Sequence, residues 1–196
     1  LVLFFVDAHA DINTPYTSPS GNMHGMCLGL LIKDVLRSKP MPWLDIPGLE
    51  WMKSSARLRA KDLCYIGLRD LDEGEQKLLH ELDCKVFTMS DIDRHGVGKV
   101  MEMANDFLLC ERERPIHLSF DVDALDPEIA PATGTPVRGG LSYREAHYIC
   151  ESISDTGNLA SMDMVEVNPE LCNDRGVATA EMGTSLIASA MGARIY

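Results

Sequence analysis

Three residues suited to binding cations stand at alternate positions early in the chain: Asp7, His9 and Asp11. In an extended backbone, side chains at i, i+2 and i+4 project from one face, so this spacing gathers two carboxylates and an imidazole at one edge. Asp121 and Asp123 repeat the pattern after the apolar stretch that begins at Pro115. Either group alone reads equally well as a helix cap or a turn. If the two segments are neighbouring strands, their ends lie about 5 Å apart. Asp7, Asp11, Asp121 and Asp123 then share one crevice, and so many like charges require protons or cations between them. Two divalent ions would offset the four negative charges. An oxygen-rich donor set with limited imidazole suits Mn2+ better than a soft-ligand zinc site. A metal pair lowers the pKa of a shared water and makes hydroxide available near neutral pH. The sequence shows no nucleophile elbow and no P-loop, so metal-activated hydrolysis is the reaction class indicated.

The elements that must position these groups alternate in type. Leu1–Val6 is uninterrupted apolar sequence and reads as a strand buried on both faces. Leu63–Leu68, Val86–Thr88, Pro115–Asp123 and a segment within Leu159–Val167 read as further strands. Helical spacing marks Met26–Leu36, Gly74–Leu82, Asp91–Cys110, Ser142–Ser154 and part of Arg175–Arg194. Ser142 and Glu145 have the spacing of a capping box. Residues 12–25 and 127–140 are rich in turn-forming residues and follow strand ends, where loops carry function, and the proline-bearing Ser38–Gly48 reads as a surface connection. This alternation predicts an α/β fold, a three-layer α-β-α arrangement on a mostly parallel sheet, in a single domain over residues 1–196.

The bulk chemistry narrows the partners. A net charge of −12, with no dense Lys/Arg run, disfavours nucleic acid and anionic membrane surfaces. No apolar run approaches membrane-spanning length. The six cysteines are dispersed without a C-x-x-C pair, which argues against a disulfide scaffold or structural zinc and for a reducing compartment. Cys64, Cys110 and Cys150 read as small buried hydrophobes. His80, His95, His117 and His147 read as structural.

The residues together resemble a known family. Asp7-Ala8-His9-Ala10-Asp11 and Ser119-Phe120-Asp121-Val122-Asp123-Ala124-Leu125-Asp126-Pro127 look like the signature of the ureohydrolases, manganese enzymes that hydrolyse guanidino compounds. The loop from Asn13-Thr14-Pro15 to Ser20-Gly21-Asn22-Met23-His24-Gly25 is similar to that of arginases. So are Ile66-Gly67-Leu68-Arg69-Asp70, Ala132-Thr133-Gly134-Thr135-Pro136 and Met164-Val165-Glu166-Val167-Asn168-Pro169. The resemblance implies an arginase-like fold, two Mn2+ per subunit, and cleavage of L-arginine to L-ornithine and urea by a metal-bridging hydroxide. It implies that Asp7 and Asp121 bridge both ions, that His9 and Asp123 complete one, and that Asp11 binds the other. Glu166 would face the guanidinium, Asn13, Ser20 and Asn22 the α-carboxylate, and Asp72 the α-amino group. Thr135 and His9 would line the same pocket. His24 would shuttle protons near neutral pH, with Asp11 helping to carry one to the leaving amine.

The sequence also departs from the family. Arginases place a further histidine ligand in a Gly-Gly-Asp-His-Ser stretch before the strand that opens this chain, and the 196 residues contain no such stretch. One ion would keep Asp7, His9, Asp121 and Asp123, the other only Asp7, Asp11 and Asp121. The chain also lacks an initiator Met, so the expectation is a family domain truncated at its N-terminus, with an exposed sheet edge and apolar surface. Two alternatives follow: an agmatinase-like or other guanidino-compound hydrolase, and a non-catalytic metal-binding relative. Neutral donors built for a carboxylate argue against agmatine. Similarity further implies a homotrimer with Arg144, Glu145 and Arg194 at its interface. The expected location is cytoplasmic, or mitochondrial if a targeting segment lies upstream.

Overall fold

The computed structural model describes residues 1–35, 48–49, 51, 58–110, 113–172 and 175–194. Five strands are formed among them: β1 Val2–Val6, β2 Leu63–Leu68, β3 Lys85–Thr88, β4 Ile116–Asp121 and β5 Leu159–Val165. All pairings are parallel, in the order β3-β2-β1-β4-β5. Every residue of β1 is buried, so this strand belongs in the interior, where it pairs with both β2 and β4. The chain lays β1, β2 and β3 outward on one side, then returns to add β4 and β5 on the other. The reversal falls between β1 and β4, and the crevice beyond the carboxyl ends at such a point is where open α/β sheets bind ligands.

Strand periodicity divides the core into two layers. Val2, Phe4 and Val6 face a cluster built with helices α3 (Met89–His95), α4 (Val97–Leu109), α5 (Tyr143–Asp155) and α6 (Gly176–Ala190). Leu3 and Phe5 face the opposite cluster, which includes α1 (Cys27–Leu31) and α2 (Glu73–Glu81). The three-layer reading therefore holds, as does the Ser142–Glu145 capping box that starts α5. No described helix is long and apolar enough to cross a membrane.

Four local expectations need correction. The helix expected over Met26–Leu36 is a 3-10 turn, Met23–Met26, followed by α1, and it stops because Ile32 bridges to Leu58. The helix expected over Asp91–Cys110 is two helices, broken where Gly96 takes φ +77°, a left-handed geometry suited to glycine. Cys110 is exposed rather than buried, because it caps α4 in the left-handed region at φ +45°. The strand expected over Pro115–Asp123 ends at Asp121, and Val122–Ala124 form a 3-10 turn. Most of the proline-bearing connection, residues 38–47, lies outside the described residues.

β5 is the edge strand on its side, and its open face is polar. Ser161 Oγ lies 2.8 Å from His117 Nδ1 and Asp163 Oδ2 lies 3.0 Å from His117 Nε2. Exposed apolar area near the strand includes Val165. His147 is buried against Ser189 at 2.8 Å and ties α5 to α6.

Candidate metal centre and its pocket

The register places two of the acids side by side. Val6 partners Phe120, so Asp7 and Asp121 leave adjacent strands at the same level, and both are buried. Beyond Asp7 the chain turns: the His9 backbone N–H donates to Asp7 Oδ1 at 2.7 Å. Tyr65, fully buried and packed edge-on against Phe5, donates its hydroxyl to the Ala10 carbonyl at 2.9 Å and fixes the turn from below. Asp11 sits in the left-handed region at φ +51°, where its carbonyl accepts from Leu28 N at the start of α1. On the other strand, Asp123 N donates to Asp121 Oδ1 at 2.8 Å, capping the start of the 3-10 turn. Turns, rather than simple strand alternation, therefore bring these side chains together.

His9 Nδ1 lies 3.1 Å from Asp123 Oδ2 and 3.4 Å from Asp7 Oδ1. Ligand atoms of Asp7, His9 and Asp123 all fall within 4.8 Å of one another. Thr135 Oγ1 donates to Asp123 Oδ2 at 3.1 Å, an outer partner that orients the carboxylate. Asp70 Oδ2 lies 3.7 Å from His9 Nε2. Asp11 stands beside this cluster rather than inside it, and its Oδ2 accepts from the Cys27 thiol at 3.4 Å.

The electrostatics are those of a cation site. Burial, reinforced by the neighbouring carboxylates, pushes Asp7 up to about 8 and Asp121 up to about 10. Burial opposes a charge on His9, but the hydrogen bonds that its ring donates to Asp123 and Asp7 overrule it and push the imidazole up to about 11. Asp123 is held below the usual carboxylate range, because the His9 contact outweighs its burial. Without a metal the cluster thus keeps protons that a divalent cation would displace. Buried oxygen donors with one imidazole, mutually repelling until positive charge is supplied, fit a hard divalent cation.

Above the acids opens a cavity of about 290 Å3, near the lower end of ligand-pocket sizes. Asp11, Asn13, Ser20, Asn22 and His24 line it from the segment after β1. His9 lines it from that same segment, and Asp72, Thr135 and Glu166 from the segments after β2, β4 and β5. Larger cavities occur elsewhere, such as one of about 710 Å3 near Arg59 and Arg114, but they lack this convergence of acids and imidazoles. Asn13 is buried and doubly held, donating Nδ2 to Asp72 Oδ2 at 2.7 Å and accepting from Thr17 Oγ1 at 2.8 Å. Asp72 also caps α2 through the Glu75 backbone N–H, yet a carboxylate has lone pairs enough for both duties and a ligand. Glu166, just past β5, is left-handed at φ +60°, an unfavourable backbone state of the kind found at functional sites.

The sequence reading missed several residues here. Ser18 lines the pocket, and its Oγ accepts from Gly21 N at 3.0 Å; its place between Asn13 and Ser20 was the available signal. Glu75, an acid in the first turn of α2, is also buried at the pocket wall, and burial pushes it up to about 7. Cys27 and Arg69 touch site residues through contacts that spacing cannot reveal. Of the expected interface residues, Glu145 is engaged in its capping box, and Arg194 pairs with Asp155 and Glu151 of its own chain.

The chain as a whole is similar to known proteins. A family model described as the arginase family matches residues 1–192. An arginase from Emericella nidulans is 52% identical over 190 residues, covering 97% of this chain and 56% of the relative. The native structure of an arginase from Bacillus caldovelox superposes with a TM-score of 0.85 at 38% identity, over 100% of this chain and 61% of that one. An arginase from Entamoeba histolytica, solved in complex with L-ornithine, matches with a TM-score of 0.83 at 33% identity, over 98% and 60% of the two chains. The chain spans about half the length of the curated relatives it matches.

Proposed function

The chain belongs to the arginase family, and from that premise we propose that its pocket hydrolyses L-arginine to L-ornithine and urea with two Mn2+ ions. The observation that carries this reading is the Asp7–His9–Asp123 cluster with buried Asp121 beside it, beneath a cavity lined by the neutral donors Asn13, Ser20 and Asn22 and by Glu166.

Asp7, His9, Asp121 and Asp123 would hold one ion, and Asp7, Asp11 and Asp121 the other. When bound there, the metal would lower the pKa of water and make a nucleophile available near neutral pH. Glu166 pairs with the guanidinium and holds its carbon over the acids, since a buried cation needs a fixed anion beside it. Asn13, Ser20 and Asn22 donate to the α-carboxylate, and Asp72 accepts from the α-amino group. Water adds to the guanidinium carbon, the bond to the δ-nitrogen breaks, and a proton reaches that nitrogen as ornithine leaves. His24, exposed at the rim, relays protons with bulk water, and Asp11 passes one inward.

One observation favours a second reading, a metal-binding relative without turnover: Asp11 stands outside the tight cluster and is engaged by Cys27. The test is urea release from L-arginine and from agmatine, with bound manganese counted on the same samples. Urea from arginine in preference to agmatine supports the proposal. Preference for agmatine overturns the substrate. Two bound manganese ions with no urea from either compound supports the non-catalytic reading.

A further inference from the structure

Arg69 stands just past the end of β2, beside the acids, yet among the described residues it bonds to none of their carboxylates. Its guanidinium instead gathers backbone carbonyls. Nη2 donates to Asp123 O at 2.7 Å, Leu125 O at 3.2 Å and Val137 O at 2.7 Å. Nη1 donates to Ala124 O at 3.1 Å and Gly67 O at 3.4 Å. The Arg69 backbone N–H donates to Ala8 O at 2.9 Å, between Asp7 and His9. The residue thereby joins the ends of β1, β2 and β4 to the loop that carries Thr135.

Its aim is set by a bulge. The β2–β3 register skips Gly67, where φ is +100° and an added Cβ would lie 3.2 Å from the Asp7 carbonyl. Bulges re-aim the side chains that follow them. A cation this close to a cation site opposes metal binding by charge, so its charge does not account for its placement. The two terminal nitrogens of a planar guanidinium do, because few other groups satisfy so many converging carbonyls. We propose that Arg69 is a positioning residue of the metal centre, fixing the Asp121–Asp123 turn and the Thr135 loop so that Asp123 meets His9. This deepens the manganese reading and rests on it.

The test compares Arg69→Met and Arg69→Lys with the wild-type chain. Mn2+ affinity is read from the electron paramagnetic resonance of the free ion, and amide hydrogen exchange is read on metal-free protein. Both variants are expected to bind Mn2+ about 10–100-fold more weakly, the usual cost of losing an outer partner. The amides of Leu125, Asp126 and Leu141, which close the turn and lace it to the loop, should exchange faster while β1 and β4 stay protected. Charge alone gives the opposite sign: the Met variant would bind more tightly and the Lys variant like wild type. Folded variants with unchanged affinity and exchange overturn the proposal. Failure of both to fold assigns Arg69 to global stability and overturns it too. Metal uptake and exchange need no substrate, so absence of urea from the wild type would strike the hydrolysis reading and leave this one standing. If the wild type took up no Mn2+, exchange would still decide the positioning.

Discussion

At the scale of single residues, the site is a set of acids that repel one another until a cation arrives. Asp121 illustrates it. Its carboxylate is buried and pushed up to about 10 by burial and by Asp7 and Asp123, so ionising it in metal-free protein is unfavourable. Asp121→Asn removes that charge while Oδ1 can still accept from Asp123 N. Thermal melts in chelator at about pH 8 should show the variant more stable than wild type. In Mn2+ the order should reverse, with affinity lowered by at least the 10–100-fold that losing an outer partner costs. The residue types at Asp7, His9, Asp121 and Asp123 were legible in the sequence because carboxylates and imidazole at such spacing have few joint uses. The manner of their meeting was not. Asp123 arrives through a 3-10 turn and Asp11 through a left-handed residue, conformations that period-two spacing does not encode.

At the scale of elements, the strand ends are held by contacts that reach across the sheet. Tyr65→Phe would leave the Ala10 carbonyl buried without its partner, at a cost of about 1–3 kcal/mol, read by chemical denaturation. Gly29→Ala tests how α1 seats the loop after β1. An added Cβ would lie 2.2 Å from the Asn13 carbonyl, so the helix must shift, at about 1–3 kcal/mol, and Asn13 with it. The strands and most helices were legible because apolar runs and capping signals are local. The break at Gly96 was missed because the apolar stripe continues through it from Ile92 to Val100, whereas the backbone does not. Arg69 was passed over because its partners are carbonyls, which have no signature in sequence.

At the scale of the whole molecule, the metal centre and the fold share one pH dependence. Asp7, Asp121 and His9 all hold protons more tightly when folded than when unfolded, with folded values of about 8, about 10 and about 11. Between about pH 6 and about pH 8 the folded chain therefore binds more protons than the unfolded one, and metal-free stability should fall as pH rises. Mn2+ bound as proposed would displace those protons, so its affinity should rise over the same interval and flatten or reverse the fall. Melting temperatures across that range, with chelator and with Mn2+, check both signs. Chain order allowed the three-layer fold to be read from sequence, since alternating strands and helices pack in few ways, and the family model and solved relatives agree with it. The most direct measurement of the central claim is urea released from L-arginine as a function of manganese bound per chain. The account predicts urea that rises with occupancy and vanishes with Asp121→Asn. Full occupancy without urea, or urea unaffected by that substitution, would contradict it.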